Sequence, residues 1–390
     1  MTKPATVILT GRSKRVLLMI RTAHTHGRSI LEGIADYAEQ LLHWQHYVVT
    51  DVHPKPILEG GVDGMIIEAF DDATLEAARN TKIPAITVAN VLDREGPPGV
   101  VADNRAVGRM GANYLADLGL RNIAFAPSAN ALYSVHRLEG FREGAASRGV
   151  KCFVMDEHQT ENESALAEWI RGLPDPVGMM GAHDRKALQV SRACRSAGRR
   201  IPEQVALLGV DNEAETCRLA DPPLSSIDHG TRRIGYEAAK MLDGWMTTGQ
   251  RPKESIYVQP IGVVSRQSSD LLAIDDPDVV AALRFIRSNA GEPLKVADVL
   301  KHVAMSRRSL EMHFQKAVSR TIHEEIMRVR IDRAKHLLIT SDWSIVHIGD
   351  ACGFSLPSQF SFAFRRETGN TPVQFRNQYR YRSSKELKPA

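Results

Sequence analysis

The hydrophobic pattern in the first half of the chain alternates short apolar runs with amphipathic stretches of helical spacing. Positions 16–20, VLLMI, are continuously apolar, and the segment 28–42 that follows puts Ile30, Ile34 and Tyr37 on one helical face. Runs of the same kind, each followed by an amphipathic stretch, continue as far as VALLGV. Strands buried on both faces, with helices between them, are typical of parallel, doubly wound sheets. The pattern therefore predicts an α/β fold.

The alternation falls into two series, which predicts two lobes with a cleft between them. The first series ends with PAITVAN, and the second runs from NIAFA to VALLGV. We predict that the chain crosses between the lobes near Gly119, Gly230 and Gly249. In sheets of this kind ligands bind beyond the carboxyl ends of the strands, so the candidate binding residues are those that follow each strand.

The last quarter of the chain changes to helical spacing alone. In SIVHIGDACGFSLPSQFSFAFRRETGNTPVQFR, at 344–376, a short helix with Ile348 inward is followed by Gly353, which tolerates the left-handed backbone that ends a helix. A second helix follows, with Ser355 as its predicted cap and Phe360 on its inner face. A helix, a tight turn and a second helix with a polar, basic surface form a helix-turn-helix, which inserts one helix into a major groove.

The same pattern occurs once more upstream, in VADVLKHVAMSRRSLEMHF at 296–314. Between the copies, Ile322, Ile326 and Val329 share one helical face, which predicts a longer helix that joins them. Any single amphipathic helix pair can imitate such a motif, but the duplication and the turn residues in both copies argue against that interpretation. We predict two helix-turn-helix units on a linker helix.

Charge is distributed unevenly and supports nucleic-acid binding by the last quarter. From position 277 onward there are 19 Lys and Arg against 11 Asp and Glu, whereas the rest of the 390 residues carries 31 against 35. A basic excess confined to one module is the electrostatic footprint of a nucleic-acid binder. No apolar run approaches the roughly 20 residues of a membrane helix, and the start of the chain has no signal-peptide core. We expect a cytoplasmic protein with no membrane partner.

Catalytic, metal and cofactor motifs are not evident in the sequence. The four cysteines lack the paired spacing of a zinc or redox site, so we expect reduced, mostly buried thiols. His24 and His26 lie in one loop without a third ligand at suitable spacing, which favours solvated histidines over a metal site. A sugar-processing enzyme is the rival hypothesis, but no dinucleotide, Walker or nucleophile-elbow motif supports it. We therefore expect no cofactor and no catalytic residue.

Polar side chains near the ends of the predicted strands are candidates for ligand contacts. Carboxylates and guanidinium groups that each engage two adjacent hydroxyls, above an aromatic face, suit a neutral sugar. Arg137 and Asp211 are favoured as ligand contacts, whereas Asp103 and Asp184 can equally cap the helices that follow them. The candidates, with Tyr133 as the stacking platform, are His24, Arg28, Asp103, Tyr133, Arg137, His183, Asp184 and Asp211.

Five motifs in the first two-thirds resemble the periplasmic-binding-protein-like sensor domain of LacI-type regulators. They are VVADN, RLEGFR, GAHDRKA, IPEQVALLGVDN and LSSIDHGTRRIG, and they occur in that family's order and spacing. The resemblance implies a two-lobed sensor with effector contacts at Arg137, His183 and Asp211, and a contribution from the loop 22–28 of the other lobe. His183 stands where that family usually has Asn.

The repeated helix-turn-helix, the GF at 353–354 and the TPVQFR at 371–376 closely resemble the AraC-type DNA-binding domain. The resemblance implies two reader helices in successive major-groove segments of operator DNA, about one helical turn apart. Met312 and Phe362 depart from the polar residues often found at their positions and would contact thymine methyl groups. The DNA-contacting residues that the resemblance implies are Ser306, Arg307, Arg308, Glu311, Met312, Ser358, Ser361, Phe362 and Arg365.

Over its whole length the chain resembles regulators of xylose operons, in which these two modules are fused. The closer matches are GVDNE, LSS, IGYEAAK and DDPDVVAALRFIR. The resemblance implies a D-xylose-dependent activator that works with RNA polymerase and pairs as a homodimer through its sensor lobes. Another pentose or a hexose is the alternative effector, because pocket loops change ligand more readily than fold. The predicted domains are a sensor at 1–272, a linker at 273–283 and a DNA-binding domain at 284–384.

Overall fold

The chain forms two compact units, each assembled from separate stretches of sequence, in a computed structural model. The first unit takes its described residues from Met1–Val101 and Thr231–Tyr257, and the second from Ala102–Gly230 and Val258–Tyr381. Of the predicted crossings, only Gly230 lies where the chain passes between the units. The prediction was wrong for Gly119 and Gly249, which follow helix ends in the left-handed conformation. The structure describes residues 13–23, 25–41, 44–49, 61–69, 72–89, 96–271, 274, 276–318, 320–341 and 343–379.

The first unit is built on a four-stranded parallel sheet in the order β2-β1-β3-β4. Its strands are short and largely apolar, as the continuous runs predicted; β1, β3 and β4 are mostly buried, whereas β2 at the edge is largely exposed. Strands β5 and β11 (Ile256–Val258) form a separate two-stranded sheet, and each of them contains a point where the chain changes unit. These elements are β1 (Lys14–Met19), α1 (Thr25–Leu41), β2 (Trp44–Val49), β3 (Gly64–Ile67), α2 (Asp72–Asn80), β4 (Ala85–Thr87) and β5 (Val100–Ala102).

The second unit contains a six-stranded sheet in the order β12-β10-β9-β8-β6-β7, parallel except for β12 at one edge. The sheet and its helices confirm the predicted α/β sensor, and the two helices of the first pair, α3 and α4, pack closely together. These elements are α3 (Asn104–Asp117), β6 (Asn122–Ala126), α4 (Leu132–Ser147), β7 (Lys151–Val154), α5 (Glu163–Arg171), β8 (Val177–Gly181), α6 (Asp184–Ser196), β9 (Val205–Val210), α7 (Ala214–Leu219), β10 (Ser225–Asp228) and β12 (Gly262–Val264). Between β10 and β12 the chain returns to the first unit and forms α8 (Thr231–Thr248) there.

Glycines set the close contact between α3 and α4. A Cβ at Gly108 would lie 1.9 Å from the carbonyl oxygen of Arg137, and one at Gly140 would lie 1.9 Å from that of Arg105. No side chain fits at that separation, so the two backbones touch directly. The contact matters for the candidate site because Arg137 lies on α4 and Asn104 begins α3.

The rest of the second unit is all helical and contains both predicted helix-turn-helix units, joined by the long helix α12. Leu310 and Phe314 of α11 pack into one core, and Phe360 and Phe364 of α14 pack into another. Leu356 rather than Ser355 occupies the N-cap position of α14, without a side-chain capping bond, because the helix begins at Pro357. Helix α9 begins inside the predicted linker at 273–283, where Asp276 caps it. These helices are α9 (Pro277–Ser288), α10 (Val296–Lys301), α11 (Arg307–Val318), α12 (Ile322–Thr340), α13 (Ile345–Ala351), α14 (Pro357–Thr368) and α15 (Pro372–Tyr379).

The two helix-turn-helix units are fastened to each other at Gly353. Its φ is +74°, and a Cβ there would lie 2.1 Å from the carbonyl oxygen of Glu292, so only glycine fits. Arg330, on the helix between the units, donates to the carbonyl oxygens of Glu292 and Leu294 at 2.9 and 3.0 Å. These bonds tie the helix between the units to the segment that leads into the first helix-turn-helix unit.

An ion-pair network joins this helical domain to the sensor part of the second unit. Asp117, at the end of α3, accepts from Arg148 after α4 and from Arg320 before α12. Arg320 also pairs with Glu325 at 2.9 Å, and Glu325 pairs with Arg328 at 2.7 Å. Although burial alone would raise it, Arg328 and Arg320 hold the pKa of Glu325 below its usual range. The network is therefore charged and spans the seam between the sensor and the helices.

All four cysteines are free, and three are buried, as the sequence predicted. Among the described helices, none is both long enough and apolar enough to cross a membrane.

Candidate effector site and DNA-reading surface

The candidate effector site of the second unit is organised by the guanidinium of Arg137. Its Nε donates to Oδ1 of Asn104 at 2.9 Å, and its Nη1 donates to the carbonyl oxygen of Ala182. Its Nη2 lies 3.7 Å from Oδ1 of Asp211. The side chain is only 5 % exposed, so these contacts hold a buried positive charge at the carboxyl edge of the sheet. The structure thus brings Arg137 and Asp211 together, as predicted.

Asp211 occupies a left-handed turn directly after β9. Its φ is +106°, and the next residue, Asn212, has a φ of +51°, conformations that few non-glycine residues adopt. Oδ1 of Asp211 lies 3.1 Å from Nε2 of His229, which is buried after β10. Strained backbone at a strand end is common where a side chain must be aimed at a ligand. Arg137 and His229 therefore flank the Asp211 carboxylate from two sides.

His183 lies close to this pair but is already engaged by the protein. Its Nδ1 accepts from the backbone N–H of Lys186 at 3.1 Å and so caps α6. That leaves the ring proton on Nε2, which donates to Oγ of Ser128 at 2.9 Å. Burial lowers the pKa of His183 to about 4, despite the opposing effect of Asp211. The ring is therefore neutral at physiological pH.

Tyr133, the predicted stacking platform, lies beside Arg137 and His183. The Cζ atom of Arg137 lies 5.0 Å from the centre of the Tyr133 ring, and the ring centres of Tyr133 and His183 are 6.3 Å apart. An aromatic face beside a guanidinium and a carboxylate is a suitable lining for the apolar and hydroxyl faces of a sugar.

Asp184 supports the Asp211 turn instead of facing the candidate site. It is fully buried, its Oδ1 accepts from Oγ of Ser226 at 2.6 Å, and its Oδ2 accepts from the backbone N–H of Glu213 at 2.8 Å and from Sγ of Cys217. Burial, and then the charge of Asp211, raise the pKa of Asp184 to about 7. Because the protein takes both oxygens, we assign Asp184 a positioning role.

Asp103 is also held by the protein. Its Oδ1 accepts from the backbone N–H of Ala106 at 2.9 Å and caps α3, while its Oδ2 accepts from Gln259 at 2.8 Å. The capping alternative therefore accounts for its position. Its neighbour Asn104, which orients Arg137, is the residue of this pair that reaches the candidate site.

The first unit holds the other predicted contacts. Arg28 lies in α1 and donates to the carbonyl oxygen of Thr22 and to Oγ1 of Thr25, both at 2.8 Å. His24 lies outside the described residues. Sequence reasoning missed Glu68, which follows β3, is buried, and accepts from Nη2 of Arg21 at 2.7 Å. Its position after a strand was the available signal.

Sequence reasoning also missed His229 and Ser128 in the second unit. His229 lies in the LSSIDHG motif and Ser128 follows β6, so both stand at strand ends, as the predicted residues do. Neither residue type is by itself typical of sugar contacts, and their importance comes from bonds to Asp211 and His183 that no spacing along the chain reveals.

The predicted DNA-contacting residues of the first reader helix lie on the outer face of α11. Arg307 and Glu311 form an ion pair at 2.9 Å, and Ser306 accepts from the backbone N–H of Ser309. Arg308, in the described part of the chain, makes no hydrogen bond or ion pair, and Met312 is 63 % exposed. The face thus presents one unpaired guanidinium and one apolar side chain.

The second reader helix, α14, presents a less charged surface. Ser358 and Arg365 are exposed, Ser361 is half-buried, and Phe362 is 71 % exposed. Phe360 and Phe364 hold the opposite face in the core, which keeps Phe362 outward. A phenylalanine exposed to this degree on a helix of a packed domain is a candidate contact for an apolar group.

A sugar-sensor fold with a polar site at the edge of its sheet, followed by two helix-turn-helix units, defines a one-component transcription regulator. Family models match in the same order: a periplasmic binding protein-like domain at residues 112–269 and a helix-turn-helix domain at residues 299–378.

The chain belongs to the family of xylose operon regulatory proteins. It is 31 % identical to the xylose operon regulatory protein of Haemophilus influenzae over 94 % of this chain and 99 % of that protein. It is 29 % identical to the protein of the same name from Escherichia coli K12, over 93 % and 97 % of the two chains.

Solved structures agree with this assignment. The structure of a xylose-binding transcription activator matches with a TM-score of 0.61 at 26 % identity and covers 95 % of this chain and 99 % of that chain. A transcriptional regulator solved with cellobiose matches at 23 % identity and a TM-score of 0.55, over 66 % of this chain and 84 % of that chain, which shows the shared sensor fold.

Proposed function

We propose that the protein is a D-xylose-dependent activator of transcription. The observation that carries the proposal is the Arg137–Asp211 pair, which faces the candidate site in the same unit as both reader helices. The family of xylose operon regulatory proteins supports xylose as the sugar and transcription of xylose genes as the output.

The sugar would be bound by bidentate hydrogen bonds from charged groups. Asp211 offers carboxylate oxygens to two adjacent hydroxyls, while Nη2 of Arg137 donates to a third oxygen. Tyr133 would stack on one face of the sugar ring. The Nε2–H of His183 would either keep its hydrogen bond to Ser128 or donate to a sugar oxygen in its place. Arg28 in the first unit remains a predicted contact.

Operator DNA would be read by α11 and α14. The fixed contact at Gly353 supports two reader helices that enter successive major-groove segments as one body. An activator of this kind also requires RNA polymerase as a partner, and we propose a homodimer that acts in the cytoplasm, where operator DNA is found.

The direct test is a titration of the purified protein with a panel of pentoses and hexoses, followed by operator binding with and without the sugar that binds. We expect D-xylose to raise the unfolding midpoint by mass action and to change operator affinity. A midpoint raised by a different sugar would correct the effector, and consumption of sugar during incubation would favour an enzyme. Operator affinity and footprint that ignore a bound sugar would refute the regulator.

A further inference from the structure

A second cavity lies in the second unit, away from the candidate effector site, between the sensor sheet and the helical domain. Its volume is about 880 Å³, which is within the size range of small-molecule sites. The sensor contributes Arg109, Tyr114 and Arg266 to its wall, and the helical domain contributes Arg287, Arg328 and Lys335. Arg137, Asp211 and His183 are not part of this wall.

The wall is positively charged. It carries five Arg and Lys side chains against three carboxylates, Asp117, Asp270 and Asp332. Four charged residues just outside the wall form ion pairs with residues of the wall. Their charges sum to zero, because Glu143 and Glu325 are balanced by Arg148 and Arg320. The cavity and its immediate partners therefore have two positive charges in excess.

Two guanidinium groups account for this excess. Arg266 donates its two Nη groups to the carbonyl oxygen of Leu224 and to Oδ1 of Asn212, both at 2.8 Å, and both acceptors are neutral. Arg287 is half-buried on α9 and, among the residues that the structure describes, has no hydrogen-bond acceptor and no carboxylate within 4.0 Å. Burial lowers the pKa of Arg287, with Tyr114 and Glu325 opposing that effect, yet a guanidinium remains charged.

Solvated Asp270 is the alternative partner for Arg287. It lies on the same wall and is exposed, and its negative charge raises the pKa of Arg287 only as a minor contribution behind Tyr114 and Glu325. Its charge is already included in the count, so the excess of two persists after Asp270 is considered. A half-buried guanidinium that faces a cavity without a paired carboxylate is a costly arrangement unless an anion completes it.

We propose that this cavity binds a small oxyanion with two negative charges, carried by a phosphate monoester or by a dicarboxylate. Guanidinium forks match the oxygen pairs of both groups, and a dianion neutralises the excess charge. The anion contacts the sensor through Arg266 and the helical domain through Arg287, so it gives the regulator an input separate from the sugar. The proposal goes beyond the proposed function and does not depend on it.

The first experiment uses the full-length protein without sugar and without DNA. Inorganic phosphate, a pentose 5-phosphate and succinate are titrated at constant ionic strength, with chloride as the reference, and binding is measured by calorimetry. Hydrogen exchange then locates the ligand. We expect saturable binding of at least one dianion, with protection of α3, the segment 259–270 and α9. A phosphate monoester that binds while succinate does not identifies the source as a phosphorylated compound, and the reverse identifies a dicarboxylate.

The second experiment compares two substitutions on α9. Arg287→Gln removes the charge that faces the cavity, whereas Arg284→Gln removes an exposed charge one helical turn earlier, outside the wall. We expect Arg287→Gln to weaken dianion binding about tenfold or more, since a hydrogen bond to a charged group is worth at least that factor. Arg284→Gln should bind as the wild type does, and Arg287→Lys should recover part of the loss.

Three outcomes would overturn the proposal. One is equal weak responses to all salts, which would mean a cavity filled by water. Another is protection confined to α11 and α14, where phosphate would imitate the DNA backbone. The third is equal dianion binding by both glutamine variants. The proposed function is tested separately, by measuring sugar and operator binding of the same proteins without dianion. Failure of the dianion site can therefore be told apart from failure of the sugar-responsive regulator.

Discussion

Nη2 of Arg137 lies 3.7 Å from Oδ1 of Asp211, close enough for electrostatic attraction and too far for a hydrogen bond. Both side chains are oriented by other groups, Arg137 by Asn104 and Ala182, and Asp211 by His229. The surrounding protein therefore holds both charged groups in place before any ligand binds. Preorganisation of this kind raises affinity because little is lost on binding.

Asp211→Asn tests this pair. Asparagine tolerates the left-handed backbone at φ +106°, so the variant removes the charge without the strain that alanine would add. We expect xylose affinity to fall by about 1.5–3 kcal/mol, the usual worth of hydrogen bonds to a charged group, while operator binding without sugar stays unchanged. Calorimetry and gel-shift titration measure the two. Unaltered xylose affinity would remove Asp211 from the site; Asp175→Asn on the exposed surface is the control.

His183 and Asp184 should give stability opposite dependences on pH. His183 has a folded pKa of about 4, below its ordinary value of 6.5, so the unfolded chain binds the extra proton and stability falls as pH drops through that interval. Asp184 has a folded pKa of about 7, above its ordinary value of 3.8, so the folded chain keeps the proton and stability falls as pH rises through that interval. In the wild type the two slopes offset each other.

Single substitutions should reveal each slope. Relative to wild type, His183→Gln should gain about 3 kcal/mol as pH is lowered from about 6.5 to about 4, and Asp184→Asn should gain about 4 kcal/mol as pH is raised over the Asp184 interval. Urea unfolding of the second unit across this range measures both. Parallel pH profiles for wild type and both variants would show that neither group is shifted.

Asp117→Asn should separate sugar binding from control of DNA. The substitution weakens the pairs with Arg148 and Arg320 that join the sensor to the helical domain, and it leaves Arg137 and α11 untouched. We expect xylose affinity near wild type and a sugar-dependent change in operator affinity that shrinks from the usual coupling of about 5- to 150-fold towards none. Asp156→Asn, on an exposed sensor loop, should keep the full response. A full response in Asp117→Asn would place the coupling elsewhere.

Arg308→Ala tests direct reading of the operator. Because Arg308 is exposed on α11 and has no hydrogen-bond or ion-pair partner among the described residues, it is available to bind a guanine edge. We expect a loss of about 1–3 kcal/mol that is confined to one base pair, with relaxed specificity there. Binding to a set of operators changed one base pair at a time measures it. A uniform loss across the set, with a shallower salt dependence, would show contact with phosphate only.

The fold was predictable from the sequence because its signals are local. Continuous apolar runs and 3.6-residue periodicity depend only on neighbours along the chain, and they located β1, β9, α12 and both helix-turn-helix units. The cap at Leu356 was missed because a Pro in the first turn fixes a helix start more strongly than a serine two residues earlier. Two of the three predicted crossings were misplaced because glycine is common at helix ends and at hinges alike.

The site was only partly predictable. Position after a strand found Arg137, Asp211 and His183, but it could not tell which polar atoms the protein itself would use. Asp184 and Asp103 stand at strand ends as Asp211 does, yet their oxygens accept from Ser226, Glu213 and Gln259, partners that folding brings from distant parts of the sequence. Asn104 orients Arg137 and His229 orients Asp211, and folding alone brings these pairs together.

The contact between Gly353 and Glu292 limits the spacing of operator half-sites that the protein can bind. With Gly353 pressed against Glu292 and Arg330 bonded to the same segment, the two readers cannot slide apart to follow a longer site. Inserting about five base pairs between the half-sites turns the second one to the opposite side of the duplex, about half of the 10–10.5 base pairs in a turn. Inserting a whole helical turn returns the second half-site to the original side of the duplex but moves it too far away for the second reader helix to contact. A flexibly tethered pair would recover binding with each whole turn, whereas this protein should recognise one spacing alone.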